Sequence, residues 1–189
     1  FAIATMNLVV DPDGAVQKLE HRWIFDDAFS STVLVEFDAN QDLKLDSAEL
    51  KEVQNTIVNS IGEYNYFQKI RDNGADVKMA RPPNLTASMN DQTLVIAFDS
   101  APEKPLPLRG QAVFGIYDPT FYTAIDFDTD ADLKTAGLPA GCTSKVVRPD
   151  PEQAMAENKE NLTDFFYSTT DQTNMDQLVA TRLEVTCPQ

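Results

Sequence analysis

Oxygen-bearing side chains recur at fixed intervals within the twelve residues from Asp38 to Glu49. At positions one, three, five, nine and twelve of this segment stand Asp38, Asn40, Asp42, Asp46 and Glu49. Position seven, Lys44, would contribute its backbone carbonyl, so its side chain is unconstrained. A hard cation such as Ca²⁺ takes about 6–8 oxygen ligands at about 2.3–2.6 Å, and a coiled loop with this spacing turns alternate oxygens inward. The segment therefore predicts a calcium-binding loop.

Apolar residues on both sides of this segment have helical spacing. They are Val33, Leu34 and Phe37 before it, and Leu50, Val53, Ile57, Val58 and Ile61 after it. This 3.6-residue period predicts two helices. Asp26 and Asp27 can cap the first helix, and Gly62 can end the second. We therefore expect a helix–loop–helix over residues 27–62, with Leu45 turned toward the core, which is the arrangement of a calcium-binding EF-hand.

One position departs from the EF-hand pattern. Position six is normally Gly, because the chain turns there with a positive φ, but here it is Leu43. A side chain in that conformation costs roughly 1–2 kcal/mol. Either this cost weakens the site or the turn is made differently. The competing hypothesis is an acidic, solvated loop that binds no ion.

The composition narrows the class of protein. The chain has 189 residues and a formal net charge of −15. We expect a single domain over residues 1–189, because no long linker divides it. The negative charge argues against nucleic-acid partners, and no apolar run approaches the roughly 20 residues that a membrane-spanning helix needs. The chain starts at Phe1 without Met, so we expect a secreted chain whose signal peptide has been removed.

The rest of the chain predicts an α+β fold, with a mostly antiparallel β body around the helix–loop–helix and one or two C-terminal helices. Strands are expected at 2–10, 15–25, 64–72, 75–79, 84–90, 92–99, 111–117, 121–127, 142–148 and 181–187. The first two strands should pair through an Asp11–Gly14 turn, with Met6 opposite Leu19. Helices are expected at 152–166 and 174–180.

Cys142 and Cys187 are the only two cysteines. If the last two strands pair antiparallel, Cys142 opposite Cys187 also sets Arg148 opposite Thr181. One register then serves both the strand pairing and a disulfide, so we predict that bond, against the alternative of two unrelated buried thiols. A disulfide indicates an oxidising compartment.

Three further segments carry candidate functional residues. His21, the only histidine, is either a metal ligand or proton shuttle, or a histidine that hydrogen-bonds within the sheet; we favour the second. The aromatic segment from Tyr117 to Tyr122 is either a ligand platform or, as we favour, rings packed on the sheet. The four aspartates within Asp126–Asp132 form either a second cation site or, as we favour, a solvated acidic edge, because Gly137 stands where the closing carboxylate belongs.

Several landmarks together resemble a bacterial periplasmic family catalogued as domain of unknown function one thousand and seven. They are the opening strand at Phe1, W-I-F-D-D-A-F-S (Trp23–Ser30), the acidic loop before Glu49-Leu50, E-Y-N-Y-F (Glu63–Phe67), Pro105-Leu106, Y-D-P-T-F-Y (Tyr117–Tyr122), Gly141-Cys142, V-R-P-D (Val147–Asp150) and V-T-C (Val185–Cys187). The resemblance covers nearly the whole chain, and Y-D-P-T-F-Y is its most specific part.

The resemblance implies a periplasmic protein that accompanies membrane transporters of the nickel/cobalt type. Members tend to begin their mature chains with His-Pro-His, which does not stand before the first strand here, and many have Gly where Leu43 stands. These features keep a second function open, that of an accessory or delivery protein for nickel, cobalt or zinc.

We therefore predict a periplasmic calcium-binding protein with a structural or sensing role linked to metal transport. Its ligands are Asp38, Asn40, Asp42, Lys44 through its carbonyl, Asp46 and Glu49. The excess negative charge of this set would also suit a trivalent lanthanide. The chain has no nucleophile elbow, phosphate loop, catalytic Cys/His pair or zinc motif, so we do not expect an enzyme. The expected partners are the ion and a membrane metal transporter, and the sequence leaves the oligomeric state open.

Overall fold

Two β-sheets contain most of the regular structure in this computed structural model, which describes residues 1–150 and 180–189. The helices are α1 (Asp27–Phe37) and α2 (Ser47–Ser60). The strands are β1 (Ala2–Val10), β2 (Val16–Phe25), β3 (Gln68–Asp72), β4 (Ala75–Asp76), β5 (Thr86–Asn90), β6 (Thr93–Ser100), β7 (Gly110–Ile116), β8 (Ile125–Asp126), β9 (Leu133–Ala136), β10 (Thr143–Val147) and β11 (Arg182–Cys187). The predominance of strands is compatible with the predicted α+β class. The helices predicted at 152–166 and 174–180 lie outside the described residues, apart from residue 180.

The first sheet has the order β5-β6-β2-β1, and both β8 and β9 pair in parallel with β1. The second sheet has the order β10-β11-β7-β3-β4, with antiparallel neighbours throughout. The two parallel pairings were not predicted. They arise because the chain returns to the free edge of β1 after a long connection rather than through a hairpin.

Alternation along the strands creates one buried face on each sheet. In β1, every second residue from Ala2 to Val10 is buried. In the second sheet, Ile70, Phe114 and Leu183 are almost completely buried. Because side chains on a strand alternate between its two faces, each sheet has one apolar face, and these faces share a single core.

The predicted register of the first hairpin is wrong by two residues. Met6 pairs with His21 rather than with Leu19, and Ala4 pairs with Trp23. Val10 pairs with Val16, and an irregularity between Val9 and Val10 shifts the pairing further. A bulge places an extra residue on one strand, which a simple turn count misses. A shift of two preserves the buried face, so the predicted packing of this face is unaffected.

The predicted strand over residues 64–72 is only half correct, because regular pairing starts at Gln68. Asn65, Tyr66 and Phe67 all have φ values between 55° and 58°, which no strand can contain. The Asn65 side chain holds this left-handed turn: its Nδ2 donates to the carbonyls of Gln68 and Val77, at 2.7 and 3.1 Å. These hydrogen bonds offset the strain of the left-handed backbone. The aromatic residues of this segment do not indicate such a conformation.

The predicted strand over 121–127 shrinks to Ile125–Asp126. The cause is Asp118, whose Oδ1 accepts a hydrogen bond from the Thr120 backbone N–H and whose Oδ2 accepts one from the Thr123 backbone N–H, both at 2.8 Å. These bonds wrap the chain into a turn in which Phe121 has a positive φ of 58°.

Other predicted features are confirmed. β5 and β6 lie where strands were predicted at 84–90 and 92–99, and they pair antiparallel. The pairing of β10 with β11 has the predicted register, with Thr143 opposite Thr186. The predicted disulfide between Cys142 and Cys187 is present.

A buried polar cluster joins the two sheets at His21. Its Nε2 lies 3.1 Å from Oε1 of Gln68 in the second sheet and 3.2 Å from Oγ of Ser100 in the first. His21 is 4% exposed, and its Nδ1 has no hydrogen-bond partner among the described residues. Burial lowers the pKa of His21 from 6.5 to about 4, although the hydrogen bond to Gln68 partly opposes this shift. The imidazole is therefore neutral at pH 7.

This environment predicts that the protein loses stability in mild acid. His21 has a pKa near 6.5 when unfolded and about 4 when folded, so the unfolded chain binds more protons between these values. The free energy of unfolding should be highest above pH 6.5, fall by up to about 3 kcal/mol as the pH drops to 4, and then level off with respect to this group. Urea denaturation at several pH values measures the slope.

His21→Gln provides the control, because the chain has no other histidine. This variant should lose most of the slope between pH 4.5 and 6.5, whatever its absolute stability. The same slope in both proteins would contradict the prediction.

Candidate metal centre

Two helices border the segment that contains the predicted metal ligands. Oδ1 of Asp26 accepts a hydrogen bond from the Phe29 backbone N–H at 2.8 Å and caps α1. α1 ends at Phe37, and the backbone N–H of Asp38 still bonds to the Leu34 carbonyl. α2 ends at Ser60. Two helices therefore flank the loop, within residues 27–62 as predicted.

The first half of the loop is organised by side-chain oxygens that accept backbone hydrogen bonds. The two carboxylate oxygens of Asp38 accept from the N–H groups of Asp42 and Leu43, at 3.1 and 2.8 Å. Oδ1 of Asn40 accepts from Asp42 at 2.8 Å, and Oδ1 of Asp42 accepts from Lys44 at 2.9 Å. These bonds coil the backbone around positions one, three and five. The side-chain oxygens accept the backbone N–H groups that carbonyl oxygens would accept in a helix or a strand.

The second half of the loop is a capping box at the start of α2. Oδ1 of Asp46 accepts from the backbone N–H groups of Ala48 and Glu49, while Oε2 of Glu49 accepts from the Asp46 N–H at 2.8 Å. Two backbone donors at the helix start are thereby satisfied reciprocally.

Glu49 also reaches back to the beginning of the loop. Its Oε1 accepts hydrogen bonds from the N–H groups of Ala39 and Asn40, at 2.9 and 3.4 Å. Although it carries a charge, Glu49 is only 7% exposed. One carboxylate thus connects position twelve with positions two and three and closes the loop.

The turn at position six is made in the conformation that normally requires glycine. Leu43 has a φ of 62°, so the expected strain is present, and the alternative of a different turn is wrong. Its side chain is 77% exposed and contributes little packing. At position eight, Leu45 is buried and packs in the core, as predicted.

The ligand chemistry of this loop fits a hard cation. Its side-chain donors at the predicted positions are all oxygens, and each carboxylate oxygen has two acceptor sites. Hydrogen bonds within the loop occupy one acceptor site on each carboxylate oxygen of Asp38 and a single acceptor site of Asp42. No group of three or more His, Cys, Asp or Glu side chains in residues 1–150 and 180–189 is placed to hold a metal ion. The calcium ligand set therefore stays a prediction.

Aspartates of the acidic segment Asp126–Asp132 have partners within the protein. Asp130 forms an ion pair with Nε of Arg148 at 2.7 Å, and this hydrogen bond raises the pKa of the Arg148 guanidinium. Oδ2 of Asp132 accepts the Thr129 backbone N–H at 2.8 Å. These contacts favour the exposed acidic edge over a second cation site.

Sequence reasoning missed two features of functional interest. The partners of His21, namely Gln68 and Ser100, lie 47 and 79 residues away, and no local pattern connects them. The buried Asp118, 4% exposed, is the other. Its D-P-T sequence indicates a turn, but its burial depends on elements distant in the chain.

A comparison with protein families matches residues 1–187 to the family described as "Protein of unknown function (DUF1007)". The chain belongs to this family. The resemblance predicted from the sequence landmarks is thereby confirmed, and the matched region contains both sheets, the loop and the disulfide of this DUF1007 protein. No curated protein and no solved structure matches the chain. Within the part of the chain that the structure describes, no helix has the length and apolar character needed to span a bilayer.

The strained turn generates a prediction about stability. Leu43→Gly should raise the free energy of unfolding by about 1 kcal/mol without added metal, because glycine adopts positive φ without a Cβ penalty. Urea denaturation measures the change. Leu43→Ala is the matched control, since it removes the same exposed side chain but keeps the Cβ atom. If both variants had the same stability, strain at this position would not be the cause.

Proposed function

We propose that this protein is a secreted calcium-binding protein whose ion is held by the loop from Asp38 to Glu49. The side-chain ligands are those of Asp38, Asn40, Asp42, Asp46 and Glu49, together with the carbonyl of Lys44. A bound Ca²⁺ would supply charge neutralisation and would tie the end of α1 to the start of α2.

The observation that supports this proposal most strongly is the state of Glu49. It is a buried carboxylate that has only backbone N–H partners, and no described ion pair includes it. Buried charges are normally paired with an opposite charge or coordinate a metal. Three further carboxylates stand in the same twelve residues, and Lys44 is their only basic residue. A divalent cation would relieve this repulsion and give Glu49 the opposite charge that it lacks.

A structural role for the ion follows from the loop's position. Glu49 lies in the first turn of α2, and Asp38 closes the last turn of α1. An ion bound to both would stabilise the packing of the two helices. A trivalent lanthanide would fit the same oxygens and should compete with calcium, because the four carboxylates exceed the charge of a divalent ion.

The disulfide supports secretion to the periplasm, because such bonds persist in oxidising compartments. A link to membrane metal transport rests on the family resemblance and belongs to the same proposal. The alternative, a nickel, cobalt or zinc accessory role, has weaker support from the donor chemistry. His21 is buried, and both cysteines form the disulfide, so neither type of soft ligand is available among these side chains.

Calcium should stabilise the folded protein. At a free concentration 100 times the dissociation constant, the gain is about 2.7 kcal/mol, which corresponds to a rise in Tm of roughly 5–10 °C for a chain of this size. Thermal unfolding in excess Ca²⁺ and in chelator measures the shift, and calorimetry measures the affinity directly.

Glu49→Gln separates ion binding from helix capping. The single amide oxygen of glutamine can keep the capping-box bond from the Asp46 N–H, but its amide nitrogen cannot accept the Ala39 and Asn40 N–H groups. We therefore expect a lower Tm in chelator, and the loss of most of the further rise in Tm that Ca²⁺ gives the unmodified protein. Glu52→Gln, an exposed change on the same helix, should keep the full shift. An unchanged Tm of the unmodified protein in excess Ca²⁺, or a full shift in Glu49→Gln, would rule the proposal out.

A further inference from the structure

An apolar groove lies beside the two helices. It has a volume of about 330 Å³. Its walls include Phe29 and Val33 of α1, Val53 and Ile57 of α2, and the turn that contains Asp118. This size is at the small end of the range of small-molecule sites, which are about 300–1,000 Å³ and mostly apolar with a few polar groups.

Aromatic rings dominate the lining of this groove. They include Trp23 at the base, Phe29 and Phe67 on the sides, and Tyr122 at the rim. Tyr122 is 79% exposed, and its ring lies 6.5 Å from that of Phe29 in an edge-on arrangement. Cages of aromatic rings are typical sites for organic cations.

The charged groups in the lining all have the same sign. They are Glu36 on the exposed face of α1 and Asp118 at the buried turn, and no Lys, Arg or His is among the described lining residues. The C-terminal turn of α2, from Thr56 to Ser60, also borders the groove and contains no basic residue. Because the carboxyl end of a helix carries partial negative charge, it adds to the same potential.

Asp118 contributes a buried carboxylate to the negative potential of the groove. Its carboxylate is 4% exposed and is held by the Thr120 N–H, the Thr120 hydroxyl and the Thr123 N–H, at 2.8, 2.6 and 2.8 Å. All three donors are neutral, and no described ion pair includes Asp118. The Asp118 carboxylate thus borders the apolar cavity with three hydrogen-bond donors but no opposite charge, and a bound cation would supply that charge.

We propose that this groove binds a small organic cation with an apolar body, of the quaternary ammonium class. The hydrogen bonds to Asp118 already come from its own turn, so the ligand needs charge rather than N–H donors. A quaternary ammonium group has none, and it is attracted both by aromatic rings and by the carboxylates. The proposal does not rest on calcium binding, since no residue of the loop lines the groove.

The chain contains a built-in reporter for this test. Trp23 is its only tryptophan and lines the groove, so a proton NMR spectrum contains one indole N–H signal, and that signal reports on this site. The probe is phenyltrimethylammonium, and the neutral comparison is tert-butylbenzene, which has the same shape without the charge. Both are titrated against the full chain at a fixed excess of Ca²⁺. The cation should shift the indole signal and bind at least about tenfold more tightly than the neutral probe.

Two variants with matched controls locate the binding. Tyr122→Ala should weaken binding of the cation about threefold, whereas Phe121→Ala, at an exposed neighbour that does not line the groove, should leave it unchanged. Glu36→Gln should weaken binding of the cation about twofold but not of the neutral probe, and Glu52→Gln should affect neither. All four changes are at exposed side chains, so the fold should be preserved.

The outcomes are decisive in either direction. Preference for the cation, together with its reduction by Tyr122→Ala and Glu36→Gln alone, would establish the site. Equal binding of the neutral probe would show a merely apolar groove and overturn the proposal. So would an unmoved indole signal at tens of millimolar cation, or equal effects of Phe121→Ala and Tyr122→Ala.

Discussion

The architecture depends on the fact that the first sheet has one apolar face and that different elements cover different parts of this face. Near the middle, the second sheet covers this face, and the His21–Gln68 hydrogen bond joins the two. Near the end of β2, the two helices and the turn after Asp118 cover the same face. There Phe25 stacks on Phe29 of α1, with ring centroids 4.6 Å apart. The helix pair is therefore part of the core, and its loop is held at the surface by the burial of its flanks. Because these covering elements come from separate parts of the chain, their junction leaves the apolar groove.

Negative charge is the second constraint, and the two candidate sites use it in the same way. The chain carries a formal charge of −15, yet Glu49 and Asp118 are carboxylates placed in the interior rather than in water. Each accepts hydrogen bonds from backbone N–H groups, and no ion pair among the described residues includes either of them. Such an arrangement preserves a net negative field at the site, whereas a salt bridge would cancel it. The two proposals assign different cations to this field: a hard metal ion where oxygens surround the charge, and an organic ion where aromatic rings do.

How much of this could be predicted from sequence depended on how local the determining contacts are. The twelve-residue loop and its two helices follow from spacing and caps within one segment, and the register of β10 and β11 follows from a single disulfide constraint. The left-handed turn at Asn65 could not be predicted, because its stabilising partners Val77 and Met79 lie 12 and 14 residues away. The groove was missed for a similar reason, since its charge comes from Asp118 and its walls from helices 60 to 90 residues earlier. The aromatic segment at Tyr117–Tyr122 indicated a ligand platform as the less favoured hypothesis, but not which ligand.

The position of α2 gives the two proposed sites a physical connection. Its first turn contains Glu49, and its next turns supply Val53 and Ile57 to the wall of the groove. For Glu49 to coordinate an ion, its Oε1 would exchange the N–H groups of Ala39 and Asn40 for the metal, and the start of the helix would be drawn toward or away from the loop. A rigid helix transmits such a displacement to the groove four and eight residues further on. Any effect of calcium on cation affinity must then be matched by an equal effect of the cation on calcium affinity, because linkage between two binding sites is reciprocal.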